Sequence, residues 1–271
     1  MEAAGLTGSP LRRAARPPLR RAHIVLVGLL LLLAVVAWLV TDKRMHGMDD
    51  GPGTDLGSLS FYVGAWVLMM AAMMFPSIVP MVLTYARIRS ARLARRSDLT
   101  LGSSGTFVAG YLVVWTAYGL AAYALFALGR ALSIDALAWD RAGPYVAGGV
   151  LVAAALYELT PAKDACLRRC RGPFAFLTEA WRDGHFGAPR MGIEHGLWCV
   201  GCCWALMAAL FALGVMSIGW MVFVAGLIAA EKLLPWRKGP SRAIASLLAI
   251  LGIAVAFAPE SVPGLTVPGM M

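Results

Sequence analysis

The residues of this chain whose types could do chemistry crowd into EHGLWCVGCCWALM, Glu194 to Met207. The stretch holds three of the five cysteines, one of the four histidines and a methionine, at the start of a long uncharged run. Successive helical residues turn by ~100°, so relative to His195, Cys199 lies at ~40°, Cys202 at about −20° and Cys203 at ~80°. One imidazole and three thiols then share an arc of roughly 100°, with Met207 a turn further on beside Cys203. Thiolate and thioether sulfur are soft ligands that select Cu(I) and zinc over hard cations. The spacing predicts a soft-metal site of His195, Cys199, Cys202 and Cys203, with Met207 as a weaker candidate.

The same residues admit other readings. Cysteine packs readily as a small apolar residue. The pair Cys199 and Cys202 also has the spacing of a thiol–disulfide oxidoreductase at a helix start. In that scheme Cys166 and Cys170 relay electrons, while Cys203 and the methionines have no task. Haem ligation by His195 and a methionine finds no attachment motif. The metal reading assigns no catalytic residue.

A second soft cluster lies in WVLMMAAMMFPSIVPM, Trp66 to Met81. Met69 and Met73 are four apart, as are Met70 and Met74, so each pair lies on one side of a helix. Methionine also fills gaps in cores. Four in six positions, followed by Pro76 and Pro80, which kink a helix and free a carbonyl, point to a thioether path facing the thiols at similar depth. Just before this stretch, Met45, His46 and Met48 form a weaker capture site, with Asp49 and Asp50 attracting cations. Glu231, in AAEKLLPW, is a further weak candidate, because ionisable groups within spans tend to be functional or paired.

These residues need elements to hold them, and composition says which. The chain is 59% hydrophobic and 14% charged, with mean hydropathy +0.71. Soluble domains carry roughly 25% charged residues, so a water-soluble globule is excluded. The net charge of +9 does not signal nucleic acid, because the basic residues sit between apolar runs. A helix needs about 20 apolar residues to cross the hydrocarbon core. Runs starting at His23, Leu56, Leu99, Pro144, Gly196, Gly219 and Ala243 predict an all-α membrane protein, a bundle of seven transmembrane helices. The run from Gly196 to Ala230 is too long for one crossing and breaks at GVMSIG, Gly214 to Gly219.

Charge sets the orientation. With the N-terminus inside, 20 of the 24 Lys and Arg fall on inner segments, leaving Lys43, Arg44, Arg130 and Arg141 outside among six aspartates. Positive charge marks the cytoplasmic side, so the expected topology is N-in and C-out. The first apolar run exceeds the usual 7–15 residues of a signal peptide and reads as a retained span. The inner connection Leu167 to Met191 mixes Phe174, Phe176, Leu177 and Trp181 with charge, as expected of a short amphipathic segment lying in the interface. The division is a basic arm (1–22), a seven-span membrane domain (23–258) and an outer tail (259–271).

MDDGPGTDLGSL, MMAAMMFPS, LTPAKDACLRRCRGP, HGLWCVGCCWALM and AEKLLPW together resemble a bacterial family of predicted metal-binding integral membrane proteins. That family is catalogued as a domain of unknown function, and its members are often labelled copper chaperones. The resemblance runs from Met45 to Trp236 and implies a multi-pass protein of the bacterial cytoplasmic membrane that binds copper. The expected partners are the lipid bilayer, Cu(I) or zinc, and a protein that donates or accepts copper.

Overall fold

The computed structural model describes residues 17–49, 51–92, 97–132, 139–184, 186–234 and 239–266. Most of the N-terminal arm, the last five residues of the tail, Asp50, Arg95, Arg96, Asp135, Arg237 and Lys238 lie outside these. The described residues form an all-helical chain with no strand. In order the helices are α1 (Pro17–Met45), α2 (Leu59–Arg92), α3 (Ser97–Ala131), α4 (Gly143–Glu158), α5 (Pro161–Arg171), α6 (Pro173–Ala180), α7 (Gly187–Leu213), α8 (Ile218–Leu233) and α9 (Gly239–Phe257), followed by a single 3-10 turn, Pro259–Ser261.

Five helices (α1, α2, α3, α7 and α9) carry stretches long and apolar enough to cross a membrane. Their outward faces agree. Ile24, Leu32 and Leu39 of α1 are 63%, 58% and 60% exposed, and a row of this kind is covered by lipid rather than water. Five spans of this character make the chain a membrane protein. Helices α4 and α8 have 16 residues each. α4 runs into α5 through a 68° bend at a short break. The break is built by Thr160, whose side chain accepts from the Lys163 amide (3.2 Å) at the start of α5. Pro161 follows, where its missing N–H costs nothing.

The end of α7 falls where the glycines at 214 and 219 place it. Gly214 takes φ +112°, a conformation that disfavours any side chain. It turns the chain from Leu213 into α8. The segment after Leu167 departs from expectation. Instead of one helix floating in the interface, it completes α5 and then forms α6, whose Phe176 and Leu177 are buried. Aromatic contacts with His195 and α2 anchor this region: Phe176 packs on His195, and Trp181 stacks on Tyr85. Phe174 alone keeps the outward, 67% exposed position of an interfacial residue.

α7 packs against α3, α4, α5 and α8. Its approach to α3 depends on glycine: a Cβ on Gly192 would lie 2.0 Å from the Phe107 carbonyl oxygen, and one on Gly110 would lie 2.3 Å from that of Pro189. Small residues let membrane helices meet backbone to backbone. This contact brings Tyr111 of α3 over the cysteines of α7.

Candidate metal centre

The bend between α4 and α5 turns α5 back against α7. The sulfurs of Cys170 from α5 and of Cys199 and Cys202 from α7 all lie within 4.8 Å of one another. Cys202 Sγ is 3.5 Å from Cys170 Sγ and 3.2 Å from Cys203 Sγ. All five cysteines are free thiols, and the three on α7 are buried. Three sulfurs from two helices, those of Cys199 and Cys202 buried and that of Cys170 half-buried, form the donor set that a soft ion prefers.

Polar groups converge on Cys199. The Lys232 ammonium, on the last turn of α8, donates to Cys199 Sγ at 3.0 Å and to Ser77 Oγ of α2 at 3.4 Å. The Tyr111 hydroxyl lies 3.1 Å from the same sulfur. Four helices besides α7 therefore reach this cluster: α2, α3, α5 and α8.

His195 sits one turn before Cys199 in an aromatic cage, its ring centroid 5.4 Å from Phe176, 5.9 Å from Tyr111 and 6.1 Å from Phe107. It is 3% exposed. Its Nδ1 is buried and has no hydrogen-bond partner among the described residues, which is costly for a polar atom. Cys203 adjoins the thiol trio through Cys202, and Met207 is buried a turn beyond.

Met69, Met70, Met73 and Met74 are all buried. On an ideal helix Met70, Met73 and Met74 fall within about 60° of the bearing of Ser77, and Met69 about 80° from it. The methionine face of α2 thus runs along the helix toward the residue that holds Lys232. At the other end of α2, Met45 is buried, Met48 is half-buried and His46 is exposed. Asp49 there accepts from the Gly51 amide (3.2 Å) and the Thr266 hydroxyl (3.4 Å). The carboxylate of Glu231 is committed elsewhere: it accepts from Lys163 Nζ (2.6 Å) and Ser241 Oγ (2.8 Å), and Lys163 also pairs with Glu158. An apolar cavity of about 520 Å³, lined by Leu56, Phe126, Trp139, Phe211 and Val215 among others, opens toward the far end of α7 and contains none of the thiols.

A family model described as PpoB2, copper chaperone, matches residues 63–255. The chain belongs to this copper chaperone family. The matched segment includes every cysteine, the α2 methionines, His195 and Lys232. It begins after Met45, His46 and Met48. No curated protein and no solved structure matches the chain.

The phase of a single helix hides two participants. Cys170 has a place only in the electron-relay reading of the sequence, because it lies 29 or more positions from the other thiols of the trio. Its one signal is the four-residue spacing from Cys166, which puts both on one side of α5. Lys232 stands beside Glu231 and carries no sequence signal of its own.

Proposed function

We propose that this protein handles Cu(I) in the bacterial cytoplasmic membrane, holding it on Cys170, Cys199 and Cys202. The observation that carries this reading is the trio of close-set sulfurs contributed by two helices, Cys199 and Cys202 buried and Cys170 half-buried. Cu(I) is satisfied by three sulfurs, whereas zinc takes four ligands in a structural site. A fourth ligand would have to come from Cys203 or from His195, whose orphan Nδ1 suits it to an exchanging role. Thiolate binding releases protons, while thioether binding does not. Met69, Met70, Met73 and Met74 then form a weak path along α2 that ends at stronger ligands, with Met207 beside it. Met45, His46 and Met48 form the entry to that path.

The topology that goes with this function has all of α1, α2, α3, α4, α7, α8 and α9 crossing, N-terminus inside. At 1.5 Å per residue, a 16-residue helix covers about 24 Å, short of the ~30 Å hydrocarbon core. α4 and α8 are therefore the thin part of the bundle. Both end near the buried ion group Glu158, Lys163 and Glu231. In this orientation the thiols lie toward the cytoplasm, where they stay reduced, and the Met45 loop lies outside.

The test is copper content. Purified protein is expected to retain one Cu(I) per chain, and Cys199→Ser with Cys202→Ser to retain none. Undiminished copper in the double variant would end this reading. The alternative, a thiol–disulfide oxidoreductase, leaves Cys203 and the methionine face without a role. Trapping a mixed disulfide between Cys199 or Cys202 and a partner protein would favour it.

A further inference from the structure

We propose that Cys166 is the exit thiol of the centre, passing Cu(I) from the thiol trio to a soluble acceptor that carries paired thiols. The inference rests on the copper reading above and adds a residue outside the trio. Cys166 and Cys170 are four apart on α5, so they share one side of that helix. Cys166 packs onto α7 at Gly201, between Cys199 and Cys202: a Cβ on Gly201 would lie 2.7 Å from Cys166 Sγ. A side chain at that position would push the Cys166 thiol away from the cysteine-bearing turn. The Tyr157 hydroxyl clamps the same position, donating to the Gly201 carbonyl at 2.5 Å.

Accessibility runs in one direction. Cys199, Cys202 and Cys203 are buried, whereas Cys166 and Cys170 are partly exposed. Apart from the buried Lys163, α5 carries Asp164, Arg168, Arg169 and Arg171, exposed or half-buried, so its outer side borders water rather than lipid. A soft ion leaving Cys199 and Cys202 therefore meets Cys170, the half-buried member of the trio, and then Cys166 before solvent. Its acceptor must offer sulfur to compete with three thiols, and the exposed Arg168 of α5 favours one with an acidic group at that edge.

The transfer is ligand exchange without redox change. A Cu–S bond to Cys166 forms as the bond to Cys202 breaks, and the Cys166 proton passes to the released Cys202 sulfur. The two thiols of the acceptor then displace Cys199, Cys170 and Cys166 in turn, their two protons and one from water going to the three released thiolates.

The experiment loads purified wild type and Cys166→Ser with Cu(I) without oxygen. It then follows transfer to a soluble peptide bearing a Cys-x-x-Cys pair. Cys166→Ser is expected to hold one Cu(I) per chain with wild-type affinity and to transfer it roughly tenfold or more slowly. Gly201→Ala, which pushes the Cys166 thiol aside while keeping it, is expected to slow transfer in the same sense. Equal transfer rates in wild type and Cys166→Ser overturn the proposal, as does loss of loading in Cys166→Ser, which would make Cys166 a holding ligand. Wild type that fails to load copper overturns the copper reading itself.

Discussion

Lys232 Nζ lies 3.0 Å from Cys199 Sγ, placing a positive charge against the sulfur at the heart of the thiol trio. Three thiolates and one Cu(I) carry a net charge of −2, and buried charge is costly unless it is paired. The lysine supplies a counter-charge in contact with that centre. Lys232→Met is expected to weaken Cu(I) retention by about 10- to 100-fold, the range seen when groups supporting metal ligands are removed. Its stoichiometry should stay at one per chain. Lys232→Arg, which keeps the charge, should lose less. Competition against a Cu(I) chelator reads both, and equal affinities across the three proteins would deny the lysine this role.

The methionine face of α2 makes a separable claim. Replacing Met70, Met73 and Met74 with Leu conserves volume, and each such swap costs under ~1.5 kcal/mol. The triple variant is expected to fold and to bind Cu(I) at the thiols as wild type does. It should load more slowly when copper is offered from the Met45 side of sealed vesicles. Unchanged loading would return these methionines to plain packing.

The ion group Glu158, Lys163 and Glu231 is expected to stabilise the fold. Lys163 is 0% exposed and pairs with both carboxylates. Removing one partner of a buried pair costs ~3–5 kcal/mol, so Lys163→Met should lower the unfolding temperature sharply. Combining it with Glu158→Gln and Glu231→Gln should recover much of the loss. Thermal unfolding in detergent distinguishes these outcomes, and a silent Lys163→Met would deny the group its structural role.

The α3–α7 contact has a steric test. A methyl group on Gly192 would meet the Phe107 carbonyl oxygen at 2.0 Å, and overpacking of this kind costs about 1–3 kcal/mol. Gly192→Ala should destabilise the fold and loosen Tyr111 from Cys199, whereas Gly149→Ala, with nothing within 4 Å, should not. Equal melting temperatures in the two variants would mean that α3 and α7 are not in backbone contact.

How much of this is legible in the sequence depends on range. The apolar runs stand out because lipid forces every backbone group into helix; the break at Gly214 stands out because few residues but glycine fit its turn. Helical phase alone puts His195, Cys199, Cys202 and Cys203 on one side of α7, of which the close-set sulfur group takes Cys199 and Cys202. What phase cannot show is which other helix meets that face. Cys170 joins the trio only through the bend at Thr160 and Pro161, and Lys232 arrives from α8. The burial of Phe176 and Leu177, which by composition belong to an interfacial face, likewise depends on α6 folding against His195.

The most direct test is X-ray absorption at the copper edge of the Cu(I)-loaded protein. Three sulfur neighbours are expected in wild type and two in Cys170→Ser. A first shell of nitrogen or oxygen, or a shell unchanged by Cys170→Ser, would contradict a centre built from α5 and α7 together.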